Sequence, residues 1–504
     1  MIFSSLQFVF LFLPIVLGVF FLIGHRGWHQ AALAWLVFAS LFFYGVWNPA
    51  YLILILLSVA INYALGRLIQ ESRSSRPQSA SYLTIAGVLL NLGLLGYYKY
   101  ANFFVDNFNT LMGTDVVLET IILPLGISFF TFQQMAYIID VSKGQIRDNN
   151  FLRYCLFVTF FPQLIAGPIV HHDEMMPQFA NRDILKPSMR AIAIGLTLFT
   201  LGLFKKVMIA DTIADYGNSI FQAAATGEEV SFFTAWLGAI AYTFQLYFDF
   251  SGYADMSIGI AYMLKIKLPL NFFSPYKSVD IIDFWRRWHM TLSRFLKDYI
   301  YIPLGGNRKG KLRRYVNLLT TMLLGGLWHG AGWTFVIWGG LHGMYLVINH
   351  AWRGLENRFG WSVGEESVPR WRSLLSIAVT FIAVTVSWVL FRADDVSAAG
   401  VMLQGMMGGQ GFAWVTSSSF LDMHWATTSV LIAAIGLAFF CPNAYELLER
   451  YRPALETYRV SAFSKAKMWL HWMPSQAWSI IMGLMFGMSI LGMSRVSEFL
   501  YFQF

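Results

Sequence analysis

The chain has 504 residues, of which 57% are hydrophobic, 17% aromatic and 13% charged, and its formal net charge is +8. A soluble domain carries about 25% charged residues, so this chain cannot cover a large water-facing surface. The composition excludes a soluble globular enzyme, a disordered chain and a fibrous repeat, and the long apolar runs indicate an all-α polytopic membrane protein. Because Cys155 and Cys441 both lie in or beside apolar stretches, no disulfide framework is expected.

Apolar stretches follow one another along the chain, which predicts a single integral membrane domain over residues 1–504. Some are shorter than the roughly 20 residues of a spanning helix and others are long enough for two, so we expect about eleven spans plus one or two re-entrant segments. The stretches lie near residues 6–24, 30–47, 50–66, 82–98, 117–139, 152–170, 190–212, 231–263, 316–349, 374–391, 427–441 and 478–494.

The first stretch bears on the orientation of the chain. No basic region precedes residues 2–24 and no small-residue cleavage site follows them, so we expect a retained first span. Placing the N-terminus outside puts Arg26, Arg67, Arg73 and Arg76 in cytoplasmic loops. The positive-inside rule favours that orientation.

Polar islands interrupt the apolar sequence in the middle of the chain. Residues 162–168 (PQLIAGP) have a proline at each end, which predicts a re-entrant turn or a broken helix. Residues 171–173 (HHD) resemble a weak metal site, but an interfacial loop explains them better. Asp249 and Asp255 lie in an otherwise apolar stretch, and we expect them to hold helices together rather than to react.

One segment carries all of the net positive charge. Residues 265–314 contain twelve Lys/Arg and three Asp, a net charge of +9, so the rest of the chain carries −1. One interpretation is a cytoplasmic loop that obeys the positive-inside rule and touches anionic lipid. A second, compatible interpretation is a landing site for a phosphate-bearing donor such as a coenzyme or a carrier-protein pantetheine. Nucleic-acid binding is not expected, because a deeply embedded chain offers little surface.

A histidine motif lies inside this basic segment. In residues 283–293 (DFWRRWHMTLS), helical spacing would place Trp285, His289 and Ser293 on one face, with Arg286 beside them. His289 is a candidate functional residue because imidazole exchanges protons near neutral pH. An interfacial anchor in an aromatic belt is the alternative.

A glycine-rich basic turn follows the histidine motif. Residues 305–311 (GGNRKGK) match G-x-x-x-x-G-K, but Leu312 replaces the Ser or Thr that would bind magnesium. No strand–loop–helix context surrounds the turn, so a nucleotide triphosphatase is rejected. The turn could still present backbone N–H groups to a phosphate, and a simple flexible loop is the alternative.

His329 is the strongest candidate for chemistry. It lies in residues 323–333 (LLGGLWHGAGW), and no charged residue occurs between Arg314 and Arg353. A charge at membrane depth costs roughly 2–3 kcal/mol or more, so ionisable groups there mark reaction sites or pathways. Histidine can be buried neutral and still accept a proton. We favour function over a structural histidine bonded to a neighbouring helix.

A further histidine, His342, follows His329 by thirteen residues. On an unbroken helix the two would be about 140° apart and would not share a face. Their spacing also differs from the i, i+4 pair of a helical zinc site. With no other ligand motif in the sequence, a metal is not indicated.

Five motifs in chain order resemble the membrane-bound O-acyltransferase (MBOAT) family, most closely its bacterial branch that acetylates alginate. The resemblance extends from the MIFSS start to beyond residue 345, is most diagnostic over residues 160–345, and includes the ending FLYF at 499–502. The motifs are LIAGP at 164–168, QLYFDFSGY at 245–253, FWRRWH at 284–289, YIPLGGNR at 301–308 and GGLWHGA at 325–331.

The resemblance implies a fold and a set of site residues. It implies a helical bundle pierced by a central tunnel, with an essential His329 at its narrow middle and His289 also tied to activity. The basic segment 265–314 would bind the phosphates of the donor at the cytoplasmic mouth of the tunnel. The residues we single out for that role are Arg286, Arg287, Asn307, Arg308 and Lys309.

The resemblance also implies a reaction. An acetyl group would pass from a cytoplasmic thioester, acetyl-CoA or another, across the bacterial inner membrane to a hydroxyl on a secreted exopolysaccharide of the alginate or cellulose type. A periplasmic acetyltransferase would often be the partner, membrane lipids would surround the protein, and no cofactor would be permanently bound. Neutral His329 would act as general base, in a tunnel that aligns the reactants and excludes water. Because no serine nucleophile motif is visible, direct transfer is favoured over an acyl-enzyme.

Two functions of other classes remain open from the sequence. A transporter or flippase for a polysaccharide or lipid-linked sugar would show two related halves and a midplane charge network. The sequence shows no internal repeat, and its densest polar chemistry is confined to residues 245–342. A non-catalytic scaffold of an export complex is the other possibility, and it would tolerate replacement of His329.

Overall fold

The chain folds as helices joined by turns. The computed structural model describes residues 1–119, 121–146, 148–360, 369–412, 425–455 and 471–493, and it contains no strand in these ranges. The FLYF ending at 499–502 lies outside the described residues.

The first half of the chain contains nine helices in the described ranges. Three of them, α1, α4 and α9, run through a single π-helical turn, at Phe8–Phe12, Gly96–Tyr100 and Lys205–Ala210 respectively. The helices are α1 (Phe8–His25), α2 (His29–Gly45), α3 (Ala50–Ser75), α4 (Pro77–Met112), α5 (Ile127–Lys143), α6 (Phe151–Thr159), α7 (Phe161–Leu164), α8 (His172–Ala180) and α9 (Met189–Ala225).

The second half contains ten further helices in the described ranges. Short 3₁₀ turns occur here at Pro275–Lys277 and Glu449–Tyr451, as one does before α9 at Arg182–Leu185, and a π-helical turn at Lys297–Tyr301 follows α12. The helices are α10 (Phe232–Met263), α11 (Ile281–Trp285), α12 (Met290–Leu296), α13 (Gly310–His329), α14 (Trp333–Phe359), α15 (Arg370–Arg392), α16 (Val396–Met406), α17 (Trp425–Phe440), α18 (Ala444–Leu447) and α19 (Gln476–Gly492).

The described residues include five helices that are long and apolar enough to cross a membrane: α1, α3, α4, α9 and α15. Between 22% and 61% of each apolar window is buried inside the protein, so much of their apolar surface faces outward. Lipid is the solvent in which such a surface is stable. The protein is therefore a multi-pass membrane protein, and the expected eleven spans stay a prediction.

Two apolar stretches that sequence leaves open as one span or two are broken in the structure. The stretch at 152–170 contains α6, which ends at Thr159, and the four-residue α7, separated by Phe160 with φ −52° and ψ 110°. The broken helix expected beside Pro162 is thus confirmed. The stretch at 316–349 divides into α13 and α14, because Gly330 and Gly332 adopt extended backbone.

Glycines let α13 and α14 pack backbone against backbone. A Cβ built on Gly326 would lie 2.2 Å from the carbonyl oxygen of Phe335, and one built on Gly339 would lie 2.3 Å from that of Met322. Gly343 faces Leu319 in the same seam, so the two helices are antiparallel. Small residues permit this close approach in membrane proteins, and the seam places the end of α13 against the first turns of α14.

The two carboxylates of α10 form ion pairs with α9. Lys205 Nζ lies 2.6 Å from Asp255, and Lys206 Nζ lies 2.7 Å from both Asp249 and Asp211. Paired charges are the form in which ionisable residues are tolerated at membrane depth. The expectation that Asp249 and Asp255 hold helices together is confirmed.

Candidate active site

His329 is the last residue of α13 and lies inside an aromatic enclosure. Its side chain is 5% exposed. The ring of Trp328 lies 4.9 Å away between centroids, and Trp338 of α14 and Phe391 of α15 each lie 5.1 Å away. The helix break at Gly330 allows the chain to turn back immediately, so that α14 supplies one wall of this enclosure. His329 is therefore buried where three helices meet.

His289 does not lie on a helix, which corrects the face that helical spacing predicts. Helix α11 ends at Trp285 and α12 begins at Met290, with His289 between them in the left-handed conformation at φ 42° and ψ 52°. His289 therefore does not share a helical face with Ser293. Trp285, at the end of α11, contacts Trp338. A non-glycine residue in this region stores of order 1–3 kcal/mol of strain, and such positions cluster at functional sites.

Asn271 holds the turn that carries His289. The N–H of Met290 donates to the backbone carbonyl of Asn271 at 3.0 Å, and Thr291 Oγ1 donates to Asn271 Oδ1 at 2.9 Å. His289 Nδ1 lies 3.1 Å from the same Oδ1. Because that oxygen is an acceptor, Nδ1 carries the proton, and Nε2 of the neutral ring is the acceptor nitrogen. Sequence reasoning missed Asn271, since nothing local pairs it with a histidine 18 residues away.

The structure brings the two predicted histidines together. The ring centroids of His289 and His329 lie 6.2 Å apart, although the residues are separated by forty positions in sequence. His289 is fully buried. Phe250 contacts its ring at 4.9 Å, and Trp328 lies 6.0 Å from it. Two imidazoles among aromatic side chains form a centre that can accept a proton.

His342 is a third buried histidine near the pair. The angle of about 140° between His329 and His342 assumed that one unbroken helix carries both residues. That assumption is wrong, because the helix breaks at Gly330–Gly332 between them. Trp338 lies between the two rings, 5.1 Å from His329 and 4.7 Å from His342. His342 Nε2 is 2.8 Å from Ser387 Oγ of α15. It therefore joins α14 to α15 behind the wall of the enclosure.

A pocket opens beside His329. It includes an amine, a hydroxyl and a glycine turn among apolar side chains, and it is lined by residues of the first turn of α5 and of the end of α13. Its principal lining residues are Lys99, Gly126, Ser128, Ile165, Trp328 and His329. Sequence reasoning missed Lys99, which lies in the middle of a helix that hydropathy marks only as a span. A tunnel through the whole bundle stays a prediction.

The proposed donor-binding residues fall into two groups. Arg286 is exposed and Arg287 pairs with Asp283 at 2.9 Å, both within three residues of His289. Residues 307–309 are exposed and lie in a turn whose glycines have positive φ. They precede α13, so the rise of its 20 residues places them about 28 Å from His329. The first group is much closer to the histidine pair.

The 171–173 segment has a local structural explanation. His171 precedes α8, and its N–H donates to Glu174, which forms a bidentate ion pair with Arg294. Burial lowers the pKa of His171 and of His172. Over the described ranges, no group of three or more His, Cys, Asp or Glu is arranged to hold a metal ion.

Comparison with known proteins identifies the fold around this site. Residues 29–362 match the model of MBOAT, the membrane-bound O-acyltransferase family. The chain belongs to the MBOAT family. The matched region contains His289, His329 and His342, together with the basic segment 265–314.

Several curated relatives share most of their length with this MBOAT chain. A peptidoglycan O-acetyltransferase of Helicobacter pylori is 44% identical over 82% of this chain and 80% of its own. A probable alginate O-acetylase AlgI of Pseudomonas putida is 40% identical over the whole of both chains. A teichoic acid D-alanyltransferase of Streptococcus thermophilus is 30% identical over 56% of this chain and 70% of its own. The chain is therefore an acyltransferase.

Proposed function

We propose that this acyltransferase takes an acetyl group from an acyl thioester on the cytoplasmic side and passes it to a hydroxyl group of a secreted polysaccharide on the outer side. The observation that carries the proposal is the buried pair His289 and His329, with rings 6.2 Å apart, inside a membrane O-acyltransferase. A buried neutral imidazole suits proton transfer in a reaction whose substrates are neutral at the reacting atoms.

His329 acts as general base in this proposal. Neutral His329 takes the proton of the attacking hydroxyl, whose oxygen forms a bond to the thioester carbonyl carbon. The carbon–sulfur bond then breaks, the thiolate leaves and recovers that proton as a thiol, and an oxygen ester remains. His289, held through Nδ1 by Asn271, is a second neutral imidazole beside His329 and shapes the surroundings in which the proton is transferred. The aromatic walls keep water from hydrolysing the thioester.

The donor in this proposal is acetyl-CoA or another acyl thioester, and no cofactor is permanently bound. Arg286 and Arg287 are the first candidates for its phosphates because they lie within three residues of His289. Asn307, Arg308 and Lys309 would contact a more distant part of the donor, since α13 separates them from His329. Arginine and lysine recognise phosphate through charge-assisted hydrogen bonds.

The acceptor is a polymer outside the cytoplasm. The 40% identical relative is named for alginate and the 44% identical relative for peptidoglycan, so both polymer classes are candidates, and an acetylated cellulose remains a third. A periplasmic acetyltransferase that receives the acetyl group is the proposed partner. We place the protein in the inner membrane with its N-terminus outside, and the positive-inside rule places the basic segment 265–314 in the cytoplasm.

The test compares ester-linked acetate on secreted exopolysaccharide and on peptidoglycan. Four strains are used: wild type, a deletion, and the deletion complemented with His329→Ala or with His350→Ala. His350 lies on α14 outside the histidine enclosure and serves as the matched control. Membrane levels of both variants are measured in parallel.

We expect acetate to disappear in the deletion, to return with His350→Ala, and to stay absent with a well-accumulated His329→Ala. The polymer that loses acetate identifies the acceptor. Full restoration by His329→Ala would exclude the general-base role and favour a scaffold. Acetate that never depended on the protein would refute the polysaccharide acceptor, and transport of a lipid-linked sugar would be assayed next.

A further inference from the structure

The end of α13 needs hydrogen-bond donors from elsewhere in the protein. The last four carbonyls of a helix have no partner within it, and here the chain continues from His329 into extended glycines. Lys99 Nζ donates to the carbonyl oxygen of Trp328 at 2.5 Å and to that of His329 at 3.0 Å. Tyr100 Oη donates to the carbonyl oxygen of Leu327 at 2.7 Å. Two neighbouring side chains of α4 thus hold three consecutive carbonyls.

The local structure of α4 explains how two consecutive residues reach the same target. Lys99 and Tyr100 lie in the π-helical turn Gly96–Tyr100. Single π-turns inside α-helices occur frequently at functional sites. In a regular α-helix, consecutive side chains point about 100° apart around the axis. The wider π-helical turn changes this angle between Lys99 and Tyr100. The turn therefore presents an amine and a hydroxyl together to the end of α13.

The charge of Lys99 suits this position. Its third contact is Ser128 Oγ at 3.4 Å, and Nζ lies 5.8 Å from the centroid of the Trp328 ring. Across the described parts of the chain, no carboxylate lies within ion-pair distance of Lys99. The carbonyl end of α13 is the negative end of its dipole, which favours the ammonium form of Lys99 there. An amine within a spanning helix is costly, and such residues mark functional sites.

We propose that Lys99 and Tyr100 are positioning residues for His329. By fixing the carbonyls of residues 327–329, they set the direction in which the imidazole leaves the backbone, and Lys99 also lines the pocket that His329 lines. The effect on catalysis rests on the proposed role of His329 as base. The effect on the position of residue 329 does not, and the two are measured separately.

The first measurement reports position without activity. His329→Cys is made in a background with Cys155→Ser and Cys441→Ser, and its reaction rate with a small methanethiosulfonate reagent is followed in membrane vesicles. The rate is compared after adding Lys99→Met, Lys99→Arg or Tyr100→Phe. Lys186→Met is the matched control, because Lys186 is 80% exposed and pairs only with the surface residue Asp183.

The second measurement follows the reaction in the His329 protein. Transfer of labelled acetate from acetyl-CoA is assayed in vesicles at several donor concentrations. Displacing a catalytic group by about 1 Å lowers rates about 100-fold, so we expect kcat to fall by about 10- to 100-fold with Lys99→Met while the donor KM stays nearly constant. Lys99→Arg keeps the charge and the donors and is expected to restore most of kcat. Tyr100→Phe, which removes one hydrogen bond, gives a smaller fall.

The proposal predicts a severalfold change in the labelling rate of residue 329 with Lys99→Met, reversal with Lys99→Arg, and no change with Lys186→Met. If Lys99→Met does not accumulate, Tyr100→Phe carries the comparison. Unchanged labelling and unchanged kcat in a well-accumulated Lys99→Met protein would refute the positioning role. Activity retained by His329→Ala would instead refute the general base and leave the labelling result standing.

Discussion

At the scale of single residues, the two histidines differ in how the backbone presents them. His329 ends a helix, whereas His289 occupies a left-handed position that its side-chain chemistry alone does not favour. Asn271 compensates for that strain, since its carbonyl groups accept from Met290, Thr291 and His289. A buried amide with these three contacts is better explained as a support for His289 than as general core packing.

Asn271→Ala is therefore expected to lower both stability and activity. The change leaves Nδ1 of His289 and the hydroxyl of Thr291 without their acceptor, and an unsatisfied buried polar group costs about 1–3 kcal/mol. We expect a lower thermal unfolding midpoint of the detergent-solubilised protein and a loss of most polymer-bound acetate.

Asn357→Ala is the matched control, because Asn357 is exposed on α14. Both variants are compared by thermal unfolding and by acetate per molecule of protein in the membrane. An Asn271→Ala protein with normal acetate per molecule would show that the left-handed turn does not need this support.

At the scale of elements, the glycine seam between α13 and α14 positions the site. The seam brings backbone atoms of Gly326 and Gly339 into contact, and beyond it His329 and Trp338 meet at 5.1 Å between ring centroids. Any increase in the distance between the helices would move His329 relative to Trp338. The close packing of α13 against α14 therefore determines the position of His329, the proposed base.

Gly339→Ala is expected to disrupt this close packing. Its new Cβ would lie 2.3 Å from the carbonyl oxygen of Met322, so the helices must separate, and overpacking of this kind costs typically about 1–3 kcal/mol. Gly354→Ala is the matched control on the same helix, because nothing lies within 4 Å of its Cβ and alanine has the higher helix propensity.

Thermal unfolding and acetate content separate the two variants. We expect Gly339→Ala to lower both and Gly354→Ala to retain the acetate of the wild type, with an equal or higher unfolding midpoint. Equal behaviour of the two alanine variants would mean that the close approach of α13 and α14 does not position the site.

At the scale of the whole molecule, the site lies where two hydrophobic clusters meet. The first includes Trp328 and much of the N-terminal half, and the second includes Trp338, Trp388 and parts of α9, α10 and α14 to α17. His329 contacts both Trp328 and Trp338. The catalytic candidates are therefore held by both clusters rather than by one loop.

Features that depend on local sequence could be predicted, whereas contacts between distant parts of the chain could not. The membrane class and the broken helix at Pro162 follow from composition and proline positions, and the burial of His329 follows from its place in an apolar run. The contacts of Asn271 and Lys99 join residues far apart in the chain, which periodicity cannot reveal. His289 misled the helical interpretation because its left-handed backbone depends on Asn271, a tertiary partner.

The orientation of the whole molecule decides which face supplies the donor, and labelling can test it. With the N-terminus outside and a crossing in each of α1 to α4, the shorter α2 included, Gly27 lies in the cytoplasm and Thr114 lies outside. The positive-inside rule places Lys309 of the basic segment in the cytoplasm. Single cysteines at these three positions, in the background without Cys155 and Cys441, are exposed to a membrane-impermeant maleimide. We expect Thr114→Cys to react in intact cells and Gly27→Cys and Lys309→Cys to react only after permeabilisation. The opposite pattern would place the basic segment 265–314 outside, where no cytoplasmic thioester could reach it, and would overturn the proposed direction of transfer.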